Sequence, residues 1–260
     1  MSASPFERML VTGARCITDG AVLFAGFHWP MVMARIARRL HAPHVAIVYE
    51  NGIVEDRLTP TLPTSPCDLV SAEGATMCAT SVDALYMWLA AGRVEMTVLE
   101  APIVDRYGNV NTTAVGPYAQ PKVRLPGSGG GTELSSVGRG LLLVNASVNK
   151  RSYPERVDYI TSPGYLNGAK ERARLGYKPG TGPQMLVNPL GLCKFDQNGE
   201  MYLAALHAGV TEAKAKESFG WPIRPGERLE VLPEPTQAEL NIVRQELAHA
   251  KERFYLLPEG

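Results

Sequence analysis

A carboxylate able to do covalent chemistry stands at Glu50. It follows the apolar run Val45–Ala46–Ile47–Val48–Tyr49 and precedes Asn51–Gly52, a turn signal. A carboxylate delivered to a turn at a strand end can act as nucleophile, general base or ligand. Read alone, the same pattern also fits a solvated turn glutamate. A second feature is the run Gly127–Ser128–Gly129–Gly130–Gly131–Thr132. Glycines let a backbone approach a ligand closely. Successive free N–H groups in such a loop can stabilise an oxyanion or a phosphate. A flexible surface loop is the alternative. His28–Trp29 follows Gly26 at a similar strand-to-helix turn, which places His28 either in a pocket or in a packed turn.

Other chemistries are poorly supported. No Gly-Lys-Ser/Thr follows the glycine run, so it is not a nucleoside-triphosphate loop. Leu10–Val11–Thr12–Gly13–Ala14 suggests the opening of a dinucleotide site, but its spacing to Gly20 is wrong. Pro117 precedes Tyr118 and Pro121 precedes Lys122, so these two cannot form the helical pair that such a site needs. The histidines His28, His41, His44, His207 and His249 form no H-E-x-x-H pair, and Cys16, Cys67, Cys78 and Cys193 form no C-x-x-C pair. His41 and His44 bracket a helix-to-strand turn and read as structural. Asp105–Arg106–Tyr107–Gly108–Asn109–Val110–Asn111 reads as a tight, hydrogen-bonded loop.

The elements around Glu50 follow from the pattern. Ala21–Ala25 is an apolar run ending at Gly26, and Pro30 opens a helix with Met33, Ala34, Ile36, Ala37 and Leu40 on its apolar face. That helix stops before Pro43, and the strand leading to Glu50 follows. Strand, helix, strand favours a parallel sheet. The spacing further predicts a helix over 81–91 and a strand at Met96–Leu99. Short strands are expected at Leu141–Asn145, Val157–Ile160 and Met185–Val187, and an amphipathic helix over Thr236–Phe254 carrying Leu240, Val243, Leu247 and Ala250. Residues 105–135 show little periodicity, and a structureless stretch of that length is usually functional or disordered.

The chain of 260 residues has no internal repeat and no low-complexity linker, and one domain over 1–260 is expected. Hydrophobic residues make up 45%, enough for a sizeable core. With 26 basic and 26 acidic residues there is no basic arm, which argues against a nucleic-acid partner. No apolar stretch is long enough for a membrane span, and residues 1–12 read as neither signal nor anchor. The cysteines read as reduced thiols, as in a cytoplasmic enzyme.

Taken together, ordered segments from about Asp19 to about Phe254 resemble the B (beta) subunit of glutaconate CoA-transferase, within the family I CoA-transferases. They are Asp19–Gly20 to Pro43, Glu50–Asn51–Gly52, Val104 to Asn111, Gly127–Ser128–Gly129–Gly130, Val157–Asp158–Tyr159–Ile160–Thr161–Ser162–Pro163–Gly164, Leu190 to Asp196 and His207–Ala208–Gly209–Val210–Thr211. The resemblance implies a Rossmann-like open α/β sheet of the CoA-transferase type. It implies an A (alpha) subunit as partner, in a heterodimer or heterotetramer, with the site between the two. It implies that Glu50 attacks an acyl-CoA and carries CoA as a glutamyl thioester, by ping-pong kinetics. Asn51, Gly52 and Gly127 to Gly130 would cradle the reacting carbonyl or CoA. Coenzyme A is then a substrate, and no metal or redox cofactor is implied.

The sequence departs from the family in two places. Where transferases carry Gly-Ala-Ala-Gln or Gly-Gly-Ala-Gln, it has Glu100–Ala101–Pro102–Ile103. Where glutaconate enzymes resemble Gly-x-Gly-x, it has Gly26–Phe27–His28–Trp29. Gly26, His28, Trp29, Glu100 and Ile103 are thus candidates for a reshaped acyl pocket, in which Glu100 would repel a dicarboxylate or serve as a second acid or base. Relatives of the same fold include acyl-CoA and ring-opening hydrolases, a decarboxylase and ligand-sensing proteins. The retained glutamate favours transfer of CoA to a carboxylic or dicarboxylic acid.

Overall fold

The computed structural model describes residues 2–253, with backbone only for 252 and 253. Its centre is a ten-stranded sheet. Five parallel strands form the middle: β1 (Val22–Ala25), β2 (Ala46–Val48), β5 (Met96–Glu100), β8 (Leu141–Val144) and β9 (Pro183–Asn188), in the order β9-β8-β5-β1-β2. Antiparallel β3 (Ile53–Glu55) and β4 (Ala75–Cys78) extend one edge. β10 (Gly191–Phe195), β11 (Met201–His207) and β12 (Pro225–Leu232) extend the other, with β12 parallel to β11. This is the open, mostly parallel α/β sheet expected from the strand–helix–strand pattern.

The central strands are apolar without alternation because helices cover both faces. Leu23, Ala25, Ile47, Val98, Leu142 and Val144 pack against α1 (Pro5–Arg15), α2 (Trp29–Leu40) and α6 (Gln237–Arg253). Phe24, Val48, Ala84, Leu85, Leu89 and Leu134 pack on the opposite face, under α3 (Gly131–Val137) and a helix whose Asp83–Leu89 stretch has π geometry. Leu141, Leu143, Leu186 and Leu203 join Phe219 and Trp221 in a third cluster, close to α5 (Glu212–Glu217). Successive residues of one strand therefore serve different layers.

Several expectations change. Val157–Ile160 is not a strand, and Tyr159 and Ile160 are exposed. The segment is held instead by side chains, with the Gly116 N–H donating to Asp158 at 2.7 Å and Tyr118 stacking on Tyr159. The region 105–135 is ordered: it holds a hairpin of β6 (Ala114–Val115) and β7 (Val123–Arg124) and the start of α3. Too few residues repeat in it for any period to register. The helix expected over 81–91 is capped by Thr80, whose hydroxyl accepts from the Asp83 N–H, and only its first residues are α-helical. The N-terminal residues form α1, which the apolar run alone did not suggest. Its signal is local: Ser4 and Glu7 form a reciprocal capping box, and Pro5 opens the helix. The helical expectation at Phe254 lies outside the described residues. Within α6, Leu240, Val243 and Ala250 are buried and Leu247 packs against the same core.

α6 is tied to the N-terminal helices by charge. Glu246 is fully buried between Arg35, at 2.7 Å, and Arg39, at 2.8 Å. Arg244 reaches Glu7 and Arg15 reaches Glu239. α4 (Ala169–Arg174) is short and carries the buried Arg172. No described helix is long and apolar enough to cross a membrane.

One buried histidine gives the fold a pH dependence. His207, at the end of β11, is 3% exposed, and burial depresses its pKa to about 4, with Arg8 and Arg15 acting in the same direction. The unfolded chain takes up that proton near the ordinary value, so His207 favours folding above about pH 6.5. That contribution is lost as the pH falls toward 4, and it amounts to about 3 kcal/mol. Urea unfolding of His207→Gln is expected to show a flatter loss of stability across this window than the parent chain.

Candidate active site

The site is built from the turn after β2. The Tyr49 N–H donates to the Ile53 carbonyl at 2.9 Å, and the Gly52 N–H donates to the Tyr49 carbonyl at 3.0 Å. Gly52 has φ +90°, and a Cβ there would lie 2.6 Å from the backbone of Ala79 and Thr80. Only glycine fits, both sterically and conformationally. The Asn51 side-chain oxygen accepts from the Ile53 N–H at 3.0 Å, and its amide lies 3.5 Å from the Ser71 hydroxyl. Asn51 and Gly52 therefore hold the turn, and the Gly52 N–H is used within it. The product of this geometry is the direction of Glu50. Val48 packs on the α3 face, and Glu50, two residues on, leaves the sheet on that same side.

There it meets the glycine run. The Gly130 backbone lies against the Glu50 carboxylate, and its N–H dipole favours the anion. A Cβ at Gly130 would stand 3.3 Å from Glu50 Cδ and 3.2 Å from Leu85 Cδ2, and one at Gly129 would stand 3.7 Å from Glu50 Oε2. The absence of side chains at 129 and 130 is what lets the backbone lie against the carboxylate. Gly127 and Ser128 shape the run: the Gly127 N–H donates to the Thr112 carbonyl at 2.7 Å, and the Ser128 carbonyl accepts from Gly131 at 2.8 Å. Gly131 is packed as tightly, since a Cβ there would come within 2.9 Å of the Ser162 hydroxyl.

Glu50 is half-buried. Burial raises its carboxyl above the usual carboxylate range, Glu133 on the first turn of α3 pushes in the same direction, and the Gly130 N–H acts against both. Tyr86 donates to Glu133 at 3.4 Å. Cys67, on the exposed loop before Leu69, also senses Glu50: burial and the Glu50 charge both push its thiol up. Neither Glu133 nor Cys67 stood out in the sequence. Glu133 could have been found by its spacing, one helical turn beyond Gly130, whereas Cys67 is brought in by a loop without any pattern.

Gly130→Ala places a methyl group against both Glu50 and Leu85. The expected result is a folded protein with activity reduced roughly a hundredfold, because the methyl group pushes the carboxylate out of register with the glycine backbone, measured as kcat/KM beside a circular dichroism spectrum.

The other sequence candidates meet one another at the ends of β1 and β5. His28 Nδ1 lies 3.0 Å from Glu100 Oε2. His28 has φ +69°, an uncommon backbone for a residue with a side chain, and its ring lies between Phe27 and Trp29. Gly26 donates its N–H to the Val98 carbonyl at 2.9 Å, and a Cβ there would lie 2.8 Å from that oxygen. Trp29 is 1% exposed and packs edge-on against Phe6, inside the core. Ile103 is half-buried, and its carbonyl accepts from Asn111. Val98 belongs to the layer under α2 and Leu99 contacts Gly131 on the other side. By alternation Glu100 leaves on the α2 face, so the His28–Glu100 pair and Glu50 stand at neighbouring strand ends but on opposite faces.

The arrangement offers a partly desolvated carboxylate against a backbone donor, at the carboxyl ends of parallel strands. A family model for coenzyme A transferase matches residues 6–212. The B subunit of 3-oxoadipate CoA-transferase from Pseudomonas knackmussii is 36% identical over 246 residues, covering 94% of each chain. The B subunit of glutaconate CoA-transferase from Acidaminococcus fermentans is 30% identical over 93% of this chain and 91% of its own. The crystal structure of that glutaconate enzyme superposes with a TM-score of 0.86 at 29% identity, covering 94% of each chain. More distant is the cholesterol ring-cleaving hydrolase IpdB subunit of Mycobacterium tuberculosis, 26% identical over 82% of this chain and 81% of its own. With the family match spanning most of its length and the open sheet that carries Glu50, the chain belongs to the coenzyme A transferase family.

Proposed function

We propose that the chain is one cytoplasmic domain, the beta subunit of an enzyme that moves CoA between an acyl-CoA and a carboxylic or dicarboxylic acid through a glutamyl-CoA thioester on Glu50. The observation that carries this reading is the Glu50 carboxylate lying against the side-chain-free backbone of Gly129 and Gly130 at a strand-end turn. In the first step a Glu50 oxygen attacks the acyl carbonyl and the C–S bond breaks, leaving a mixed anhydride and CoA thiolate. The thiolate then attacks the Glu50 carbonyl, forming the glutamyl thioester and releasing the first carboxylate. The acceptor carboxylate attacks this thioester, and the thiolate returns to the new acyl group, freeing Glu50. No proton is gained or lost, and each tetrahedral oxyanion needs donors such as the Gly130 N–H.

The same reading gives the partner a place. Leu69, Met77, Val82, Tyr86 and Met87 are exposed on the elements that border Glu50, and β4 is an open sheet edge. Large exposed apolar groups beside an open edge mark an interaction surface, and the alpha subunit would cover it and close the site.

The His28–Glu100 pair favours a second reading, hydrolysis, because a positioned histidine and carboxylate suit proton transfer to and from water. Product analysis separates the two. The heteromer supplied with acyl-CoA and no acceptor acid is expected to stop after a single stoichiometric exchange. Free CoA accumulating at catalytic rates would replace the transferase with a hydrolase.

A further inference from the structure

Arg172 is 4% exposed, yet its guanidinium forms no ion pair with a carboxylate among the described residues. Burial without an anion lowers its pKa, and such a charge is costly unless hydrogen bonds compensate it. Here they come from three segments. Nη1 donates to the Pro163 carbonyl at 3.1 Å and the Gly164 carbonyl at 2.6 Å. Nη2 donates to the Ser135 carbonyl at 2.9 Å, the Ser136 carbonyl at 3.1 Å and the Thr181 hydroxyl at 3.0 Å. The cation also stacks over Tyr177 at 4.2 Å. Gly182, with φ +93°, leaves the room, since a Cβ there would come within 2.9 Å of Arg172 Cζ.

Ser135 and Ser136 carry the last carbonyls of α3, which a cation satisfies well. The residue before α3 at its other end is Gly130, whose backbone lies against the Glu50 carboxylate. A second tether, the Thr132 hydroxyl donating to the Thr161 carbonyl at 2.9 Å, joins α3 to the segment that runs into Pro163. The short helix is thus clamped by Arg172 at the end opposite the carboxylate and by Thr132 at the end beside it. We propose that Arg172 is a positioning residue for the reaction: by fixing α3 to the 163–164 and 181 segments, it holds the Gly130 N–H against the Glu50 carboxylate. The inference rests on Glu50 being the reacting group, but the Gly130–Glu50 approach it concerns is measurable without turnover.

The groups that face Glu50 are Glu133, Cys67 and the Gly130 N–H. Arg172 is not among them, so a change in Glu50 titration on altering Arg172 must travel through α3. The experiment uses Arg172→Lys in the heteromer with its alpha subunit. Lysine keeps the charge but cannot span both sets of carbonyls. Glu50 is titrated by the carboxyl resonance of protein carrying labelled glutamate, assigned with Glu50→Gln. The rate at which CoA becomes bound to the chain from acyl-CoA is followed in parallel. The expected result is an upward shift of the Glu50 titration, because its donor is loosened, and roughly tenfold to hundredfold slower adduct formation with an unchanged KM for the acceptor acid. A folded Arg172→Lys protein with unchanged Glu50 titration overturns the inference, even if its Tm falls. If Arg172→Lys does not fold, Thr181→Val, which removes one anchor, decides by the same titration. If the parent itself forms no adduct, the nucleophile reading fails, while the titration still decides the role of Arg172.

Discussion

Glu50→Gln is expected to abolish CoA transfer, by roughly ten-thousandfold or more in kcat/KM, while leaving the fold and the subunit assembly intact. The size follows from removing the group that forms the covalent bond, since an amide oxygen is a far poorer nucleophile and no other route to the thioester exists. The selectivity follows from the structure. Glu50 is half-buried, and the turn that carries it is held by backbone bonds and by Asn51, not by its own carboxylate. Glutamine keeps the shape and can still lie against the Gly129–Gly130 backbone. The parent enzyme should also lose activity as the pH falls, because the attacking form is the anion. Burial and Glu133 raise the carboxyl of Glu50, so the acid limb of kcat/KM should lie above the usual glutamate range. Glu133→Gln removes one of the two causes and is expected to move that limb downward.

The largest expected loss of stability comes from Glu246→Ala. Glu246 is fully buried and bonds to Arg35 and Arg39, and Arg35 is itself 2% exposed. Removing the carboxylate leaves the Arg35 guanidinium buried with only the Thr59 hydroxyl, at 3.3 Å, as a remaining partner among the described residues. Breaking one side of a buried pair costs about 3–5 kcal/mol, whereas replacing both sides with apolar groups of similar volume is often neutral. Glu246→Ala should therefore lower Tm by roughly 10 °C. The double change Arg35→Met with Glu246→Leu should recover most of that loss in the same thermal unfolding experiment. A double variant no more stable than Glu246→Ala would show that packing, not the unpaired charge, dominates.

What the sequence disclosed and what it hid have a common physical basis. β1, α2 and β2 were readable because their signals are local: an apolar run, a proline at a helix start, an Asn-Gly turn. The direction of Glu50 follows from strand alternation once those are placed. The contact that gives Glu50 its environment was not readable, because Gly130 lies eighty residues further on and reaches it only through the sheet order and the placement of α3. Arg172 was invisible for the same reason, since its partners are backbone carbonyls, which carry no residue type. The His28–Glu100 pair was anticipated as two separate departures, and their meeting depends on β1 and β5 being neighbours. Val157–Ile160 misled because β-branched residues fit a strand, but here neighbouring side chains hold the segment instead of a ladder. α1 is announced by the Ser4–Glu7 spacing, a cue of two residues that the short apolar run after it masks.

The most direct measurement is peptide mass spectrometry of the chain, purified with its alpha subunit, after brief exposure to a panel of acyl-CoAs. The account predicts a CoA adduct on the peptide containing Glu50, absent from Glu50→Gln and removed by added acceptor carboxylate, and the donor that forms it identifies the acyl substrate. An enzyme that turns over acyl-CoA with no adduct on Glu50, releasing free CoA or carbon dioxide, would contradict the account.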